Sequence, residues 1–394
     1  MKRLSLLLAV LLVLQINCTT QSSEEDPRPG DEGDDFIEVA GYVFVGTYTR
    51  DEGWVNGKAE GIYRLNVDID NNSLSSDTVA AELVNPSFVA ISPDGRNLYA
   101  VSEMARQGET GFVYAYEIDG DGNLDFIDRY PTNAQAPAYV AVHPSGELVF
   151  ASNYVGGVAM VYKRNENGSL EISQQLDHSG SGPHPNQNAS HPHMTKISPD
   201  GNYLYIPDLG SDKIWSYEID LESGSVSKTD QEFGSVAAGS GPRHMDFHPT
   251  ENIAYVMNEL NSTVSAFDYD PQSGSLTEKQ VISTLPESFS DWNSTADIHV
   301  HESGKFLYGS NRGHNSIVSY EIDEDSGELS LLAHTSTEGE FPRNFNIHPN
   351  GEALYVANQN SDNITLFDLD PETGVLSFTG ESIEVPTPVC IVFY

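Results

Sequence analysis

The sequence predicts an all-β protein, a seven-bladed β-propeller of four-stranded antiparallel sheets whose ring is closed by the C-terminal strand. A hairpin pattern recurring about every fifty residues, period-two alternation inside each repeat, and one strand missing at the start and over at the end lead to that class. The repeat is plainest in SHPHMTKISPDGNYLYIPDLGSDKIWSYEIDLESGSV from Ser190 and SGPRHMDFHPTENIAYVMNELNSTVSAFDYDPQSGSL from Ser240. It returns from Asn85, Ala136, Thr295 and Phe341, and equivalent turn positions at Pro93, Pro144, Pro199, Pro249, Glu302 and Pro349 lie 51, 55, 50, 53 and 47 residues apart.

Each repeat reads as four strands. In the fourth blade, His193 to Ser198 alternates and meets a Pro-Asp-Gly turn, and Tyr203 to Pro207 is rich in residues that favour strands. A short polar loop then leads to a third strand, Ile214 to Asp220, which ends in a Glu-Ser-Gly hairpin before a more variable fourth strand. One such unit cannot bury its apolar faces alone, whereas units stacked face to face make a continuous core. Six complete repeats follow Asn85, while Gly41 to Leu74 has the later strands of a seventh without its first. The terminal PTPVCIVFY supplies that strand, and pairing it with the N-terminal blade removes the open edges.

Residues 38–394 are assigned to this single domain. Ahead of it, Lys2 and Arg3 precede the apolar run Leu4 to Leu14, which is too short to span a bilayer and has the proportions of a secretory signal, assigned to residues 1–17. Cys18 stands where a lipoprotein signal places its lipid-bearing cysteine, and the polar, acidic stretch 18–37 has the composition of a flexible tether. Export to the periplasm or cell surface is therefore expected, with a lipid anchor through Cys18 as one form of it.

Nineteen Lys and Arg stand against 59 Asp and Glu, a formal net charge of −40, which disfavours nucleic acid and anionic membranes as partners. The carboxylates crowd the outer hairpins, as in EIDLESG and DYDPQSG, which suggests a solvated surface suited to a salty, halophilic setting. The hairpins lack the twelve-residue calcium loop. With only Cys18 and Cys390 in the chain, no disulfide scaffold is available, and Cys390 is expected to be buried in the closing strand. Nothing in the residues calls for a cofactor or a metal, and a monomer is expected.

Candidate function lies where the rare cations converge. In a blade, the residue entering the first strand and the one leaving the second share one end of a hairpin, hence one rim of the channel. The pairs, 15 or 16 residues apart, are Pro137 with Asn153, His193 with Asp208, Arg243 with Glu259, Asp297 with Arg312, and Arg343 with Gln359. Three guanidiniums at one mouth suit a small anionic or polyhydroxylated ligand, since each offers a planar fork to a carboxylate or phosphate. Asn258, Asn311, Asn344 and Asn358 would add partners for sugar hydroxyls. His191 and His193, two apart on a strand, should point the same way and act together.

These motifs, SHPHMTKISPDG, SGPRHMDFHP with NELNSTV, TADIHVHESGKFLYGSNRGHNSI and FPRNFNIHPNGEALYVANQNSDNI, resemble those of the seven-bladed lactonase family. That family includes the propeller type of bacterial 6-phosphogluconolactonase and the related fungal carboxymuconate cyclase. The resemblance implies lactone ring opening or closure by His193, Arg243, Glu259 and Arg312, with Asp297, His299 and Arg343 in support. Hydrolysis needs an activated water and a positive group where the oxyanion develops. His193 or Glu259 could serve as base with Arg243 or Arg312 at the oxyanion, and His193 is preferred because arginine should keep Glu259 ionised. A muconate-type cyclase and a non-enzymatic binding propeller are the alternatives, the latter requiring an exposed apolar patch at the mouth in place of a polar pocket.

Overall fold

The computed structural model describes residues 41–68 and 73–394, so the expected signal at 1–17, Cys18 and the tether at 18–37 lie outside the described residues. Seven four-stranded antiparallel sheets follow one another in chain order. The first is completed by the C-terminal strand Pro388–Phe393, which pairs with Tyr42–Thr47 and occupies the innermost place. The circle is therefore closed as the strand count predicts.

Seven apolar clusters, one between each pair of neighbouring blades, hold the ring together. One joins Val256 and Phe267 of blade 5 to Tyr205 of blade 4, and another joins Tyr355 and Leu366 of blade 7 to Val45 and Leu65 of blade 1. Cys390 is buried in the cluster between blades 1 and 2, as expected for an apolar side chain in the closing strand.

Polar bolts repeat with the blades. Tyr205, Tyr255 and Tyr308 in successive second strands donate to the carbonyls of Gly274, Gly327 and Gly374 in the next blade at 2.8–3.0 Å. His143, His248 and His301 reach Gly201, Gly304 and Gly351 in the same way. Three of the chain's twelve histidines thus serve the architecture.

One strand departs from expectation. The first strand of blade 4 is reduced to Lys196–Ile197 plus an isolated bridge between Pro192 and Asp208. Pro207 of the neighbouring strand turns its carbonyl to His193 N at 2.9 Å, and its missing N–H removes a rung on that same side.

Candidate active site

A recurring bulge in the innermost strands builds the site. In blades 3, 5 and 7, Pro137, Pro242 and Pro342 pair with Asn153, Asn258 and Asn358, after which the register shifts by one residue. The residue after each proline is therefore unpaired in the ladder and free to aim its side chain into the channel. Those positions around the ring are Ser87, Ala138, His193, Arg243, Ala296, Arg343 and Val389. The residue before the proline has positive φ at Asn85, Ala136, Gly241, Phe341 and Thr387. A φ of 64° is costly for Phe341, and its N–H is held by Asn315 Oδ1 at 3.0 Å. Asp212 and Asp362 hold Gly241 and Thr387 in the same manner.

A second column comes from the ends of the second strands. Asn153, Asn258, Asn311 and Asn358 are buried and tie the turn to the third strand; Asn153 Nδ2, for example, donates to Thr132 O at 3.3 Å and Val158 O at 3.1 Å. In six of the seven blades the next residue faces the mouth instead, Tyr48, Glu103, Tyr154, Glu259, Arg312 and Gln359, while in blade 4 it is the buried Leu209. The two columns enclose a cavity of about 450 Å³ lined by His193, Glu259, Arg312, Arg343, Tyr154 and Gln359, with Trp54, Trp292 and Phe341 at its rim. It narrows into a neck that shares His193, Arg343 and Glu103 with the cavity and adds Arg243, His244 and Tyr48.

Glu259 sits between two arginines, its Oε2 3.0 Å from Arg243 Nε and 3.0 Å from Arg312 Nη2. Burial raises the carboxyl's pKa, but Arg312, Arg243 and Arg343 together outweigh it, so Glu259 stays ionised. Burial and the other guanidiniums push Arg243 down, opposed by Glu259 and Asp297. Three guanidiniums facing chiefly Glu259 and Glu103 leave a surplus of positive charge that a bound anion would relieve. His193 is 5% exposed, and its Nδ1 is buried with no hydrogen-bond partner in the protein. Burial, then Arg243, His244, Arg343 and Arg312, pushes its pKa well below the usual histidine value, so the imidazole is neutral at neutral pH.

Behind Arg243 runs a chain of hydrogen bonds that the sequence did not suggest. Arg243 Nη1 donates to Ala296 O at 2.6 Å and to His244 Nε2 at 3.1 Å, and His244 Nδ1 donates to Asp297 Oδ1 at 2.7 Å. The carboxylate fixes the tautomer of His244 as an acceptor toward Arg243, which orients the guanidinium.

The structure places five of the expected site residues outside the cavity and its neck. Asn153 lies in the turn-tying column, not in the cavity. Asp208 accepts from Ser190 Oγ and Ser211 Oγ, each at 2.6 Å, and from Trp215 Nε1 at 3.1 Å, so its carboxylate is fully engaged in holding the loop. His191 does not act beside His193: its Nδ1 donates to Tyr154 O at 2.7 Å, and its ring stacks on Tyr154 at 4.7 Å. The bulge breaks the simple alternation that would have aligned the two histidines. Asp297 and His299 face the far side of the channel and hydrogen-bond one another at 3.2 Å, because the counterpart of Arg243 in blade 6 is Ala296. The Nδ2 groups of Asn258, Asn311 and Asn358 likewise donate within the fold. His193, Glu259, Arg312, Arg343 and Gln359 do line the one cavity, with Arg243 at its neck.

Tyr48, Glu103, Tyr154 and His244 were missed, as were the rim aromatics. Part of the signal was present: stepping one residue past the polar residue that ends the second strand finds Tyr48, Glu103 and Tyr154, whereas His244, two residues past Pro242, and the rim aromatics follow from no such rule. The expected pairs mixed the two columns, taking Asn153 and Asp208 from the structural one and Arg312 and Gln359 from the other.

A ring of blades whose narrow mouth gathers arginines, a neutral histidine and an ionised glutamate defines a small-molecule enzyme site on a propeller scaffold. Comparison with known proteins gives the family. The model of the seven-bladed β-propeller lactonases matches residues 42–393. A 6-phosphogluconolactonase of Bacillus subtilis is 38% identical over 352 residues, covering 89% of this chain and 97% of its own. A 6-phosphogluconolactonase of Formosa agariphila is 36% identical, over 77% of this chain and 85% of its own. The crystal structure of a periplasmic gluconolactonase of Pseudomonas aeruginosa superposes with a TM-score of 0.84 at 34% identity, covering 89% of this chain and 98% of its own. The chain belongs to the seven-bladed β-propeller lactonase family and is an enzyme of the lactonase class.

Proposed function

We propose that this protein hydrolyses an unphosphorylated sugar lactone to its hydroxy acid outside the cytoplasm, with His193 as general base. The supporting observation is the neutral, unpartnered imidazole of His193 in the same cavity as Arg312 and Arg343 and beside Arg243. In this reading His193 takes a proton from water as the water oxygen bonds to the lactone carbonyl carbon. Arg312 and Arg243 stabilise the oxyanion in a site largely closed to solvent. Collapse breaks the bond to the ring oxygen, which takes the same proton back from the imidazolium. The product is a hydroxy acid that ionises at neutral pH. Glu259, pinned between two arginines, orients them rather than exchanging protons.

The export signal expected at residues 1–17 and the likeness to a periplasmic gluconolactonase favour a plain aldonolactone over a phosphorylated one. Proton release from glucono-δ-lactone and its 6-phosphate, followed with the parent protein and with His193→Ala and Arg243→Ala, tests the reading. The expected result is turnover of the plain lactone by the parent and a loss of about 10²-fold or more in kcat/KM in both variants, with circular dichroism unchanged. Retained turnover in both variants would remove the proposed site.

A further inference from the structure

The floor and the rim of the cavity differ in kind. Arg243 and Arg312 are buried and Arg343 is half-buried, whereas the two tryptophans that border the cavity are its most open large hydrophobic side chains. The chain has three tryptophans. Trp215 is buried in the core between blades 3 and 4, while Trp54 and Trp292 are 51% and 66% exposed and both border this cavity. Large exposed rings concentrated at one opening mark a ligand surface more often than chance.

Both rings are held from behind by residues of the site. Trp54, on the segment between Tyr42–Thr47 and Gly61–Asp68, meets the edge of Tyr48 at 5.1 Å, and the Arg343 guanidinium lies 5.7 Å from its centre. Trp292 lies parallel to Phe341 at 6.2 Å, and Phe341 in turn packs under Arg312 at 5.2 Å. The rings are thus preorganised, with substantial surface left open. The polar wall supplies a complementary feature: Gln359 donates Nε2 to Asn360, but its buried Oε1 has no partner. An unpartnered acceptor calls for a hydroxyl donor.

We propose that this rim is a second sugar subsite, and that the preferred substrate is the lactone of a disaccharide aldonic acid, a glycosyl aldonolactone. This rests on the lactonase reading above and specifies its substrate. The lactone ring sits on the floor against His193 and Arg312, and the neutral glycosyl ring lays its apolar C–H face on the tryptophans. A cavity of about 450 Å³ is large for a single six-carbon lactone and falls in the range of roughly 300–1,000 Å³ that accommodates larger ligands.

The test compares kcat/KM for cellobiono- and maltobionolactone with that for glucono-δ-lactone, in the parent, Trp54→Ala and Trp292→Ala. The inference expects the parent to favour at least one disaccharide lactone by about tenfold or more. Each variant should lose about three- to tenfold on that lactone, with the monosaccharide rate within about twofold, as expected for loss of one aromatic contact. Hydrolysis of gluconolactone with no disaccharide preference would overturn the subsite and leave the lactonase reading standing. So would equal losses on both substrates in the tryptophan variants. Turnover of no lactone at all would overturn the lactonase reading, and the subsite with it.

Discussion

The same seven innermost strands line both ends of the central channel, yet the two ends differ chemically. At one end Arg312 and Arg343 line a cavity with Glu259 and Glu103, above a neck holding Arg243. At the other, a cavity of about 290 Å³ is walled by Tyr139, Met194 and Met245, and its charges are settled locally. There Lys196 pairs with Asp246 at 2.7 Å, and Asp297 lies between His244 and His299. The bulge after the proline marks the division. Side chains at the bulge escape the ladder and converge with a charge surplus, whereas those after it return to regular alternation and pack in neutralised groups. An anion therefore has reason to enter from one end only.

Breaking the charge balance at the first end should have the largest effect. Glu259→Gln removes the anion between Arg243 and Arg312 without changing shape, and kcat should fall by about 10²-fold as the two guanidiniums lose their common anchor. The equivalent disruption at the other end, Lys196→Met, should leave steady-state hydrolysis within about twofold, since Lys196 touches nothing in the first cavity. Comparable losses in the two variants would end the distinction between the mouths.

A smaller effect is expected from the chain that links them. His244→Phe takes the acceptor from Arg243 Nη1 and leaves Asp297 with one fewer donor. If His244 positions the guanidinium, kcat should drop by about tenfold with KM within about twofold, and Asp297→Asn should reproduce part of the loss. A rise in KM alone would point to substrate binding instead.

The last handle is pH, which acts on stability and not on rate. Burial pushes His244 down to about 4 and also lowers His178 and His193, so all three are neutral in the fold at neutral pH. Unfolded, each would protonate near 6.5, so below that pH the unfolded chain binds protons that the folded chain cannot, and stability falls as pH drops toward 4. His244 alone is worth on the order of 3 kcal/mol across that window. His299 acts oppositely: despite burial, Asp297 raises its pKa, so its contribution is present below about 6.5 and is lost as pH rises through the higher folded value. Asp297 is held low by His299 and His244 against the effect of burial, and its stabilisation fails only in strong acid. The Tm from calorimetry should therefore decline between pH 6.5 and 4; a flat Tm would mean that the three histidines are not held neutral.

The fold was legible because it is written many times over. Turn prolines and glycines, alternating strands and an unmatched final strand recur in each repeat, and backbone sterics with burial allow them few arrangements. The chemistry-bearing types at the mouth, His193, Arg243, Glu259, Arg312 and Arg343, were legible as well, since rare cations in so acidic a chain stand out. What the tertiary structure alone decided is which neighbour in each pair faces the cavity. A one-residue bulge turns Arg243 into the neck and Asp297 away from the mouth, and a polar residue ending a strand, such as Asn153 or Asp208, is drawn into closing its own turn. Composition cannot reveal that choice, because it depends on where each backbone N–H and C=O finds its partner, and those partners lie across strands and blades.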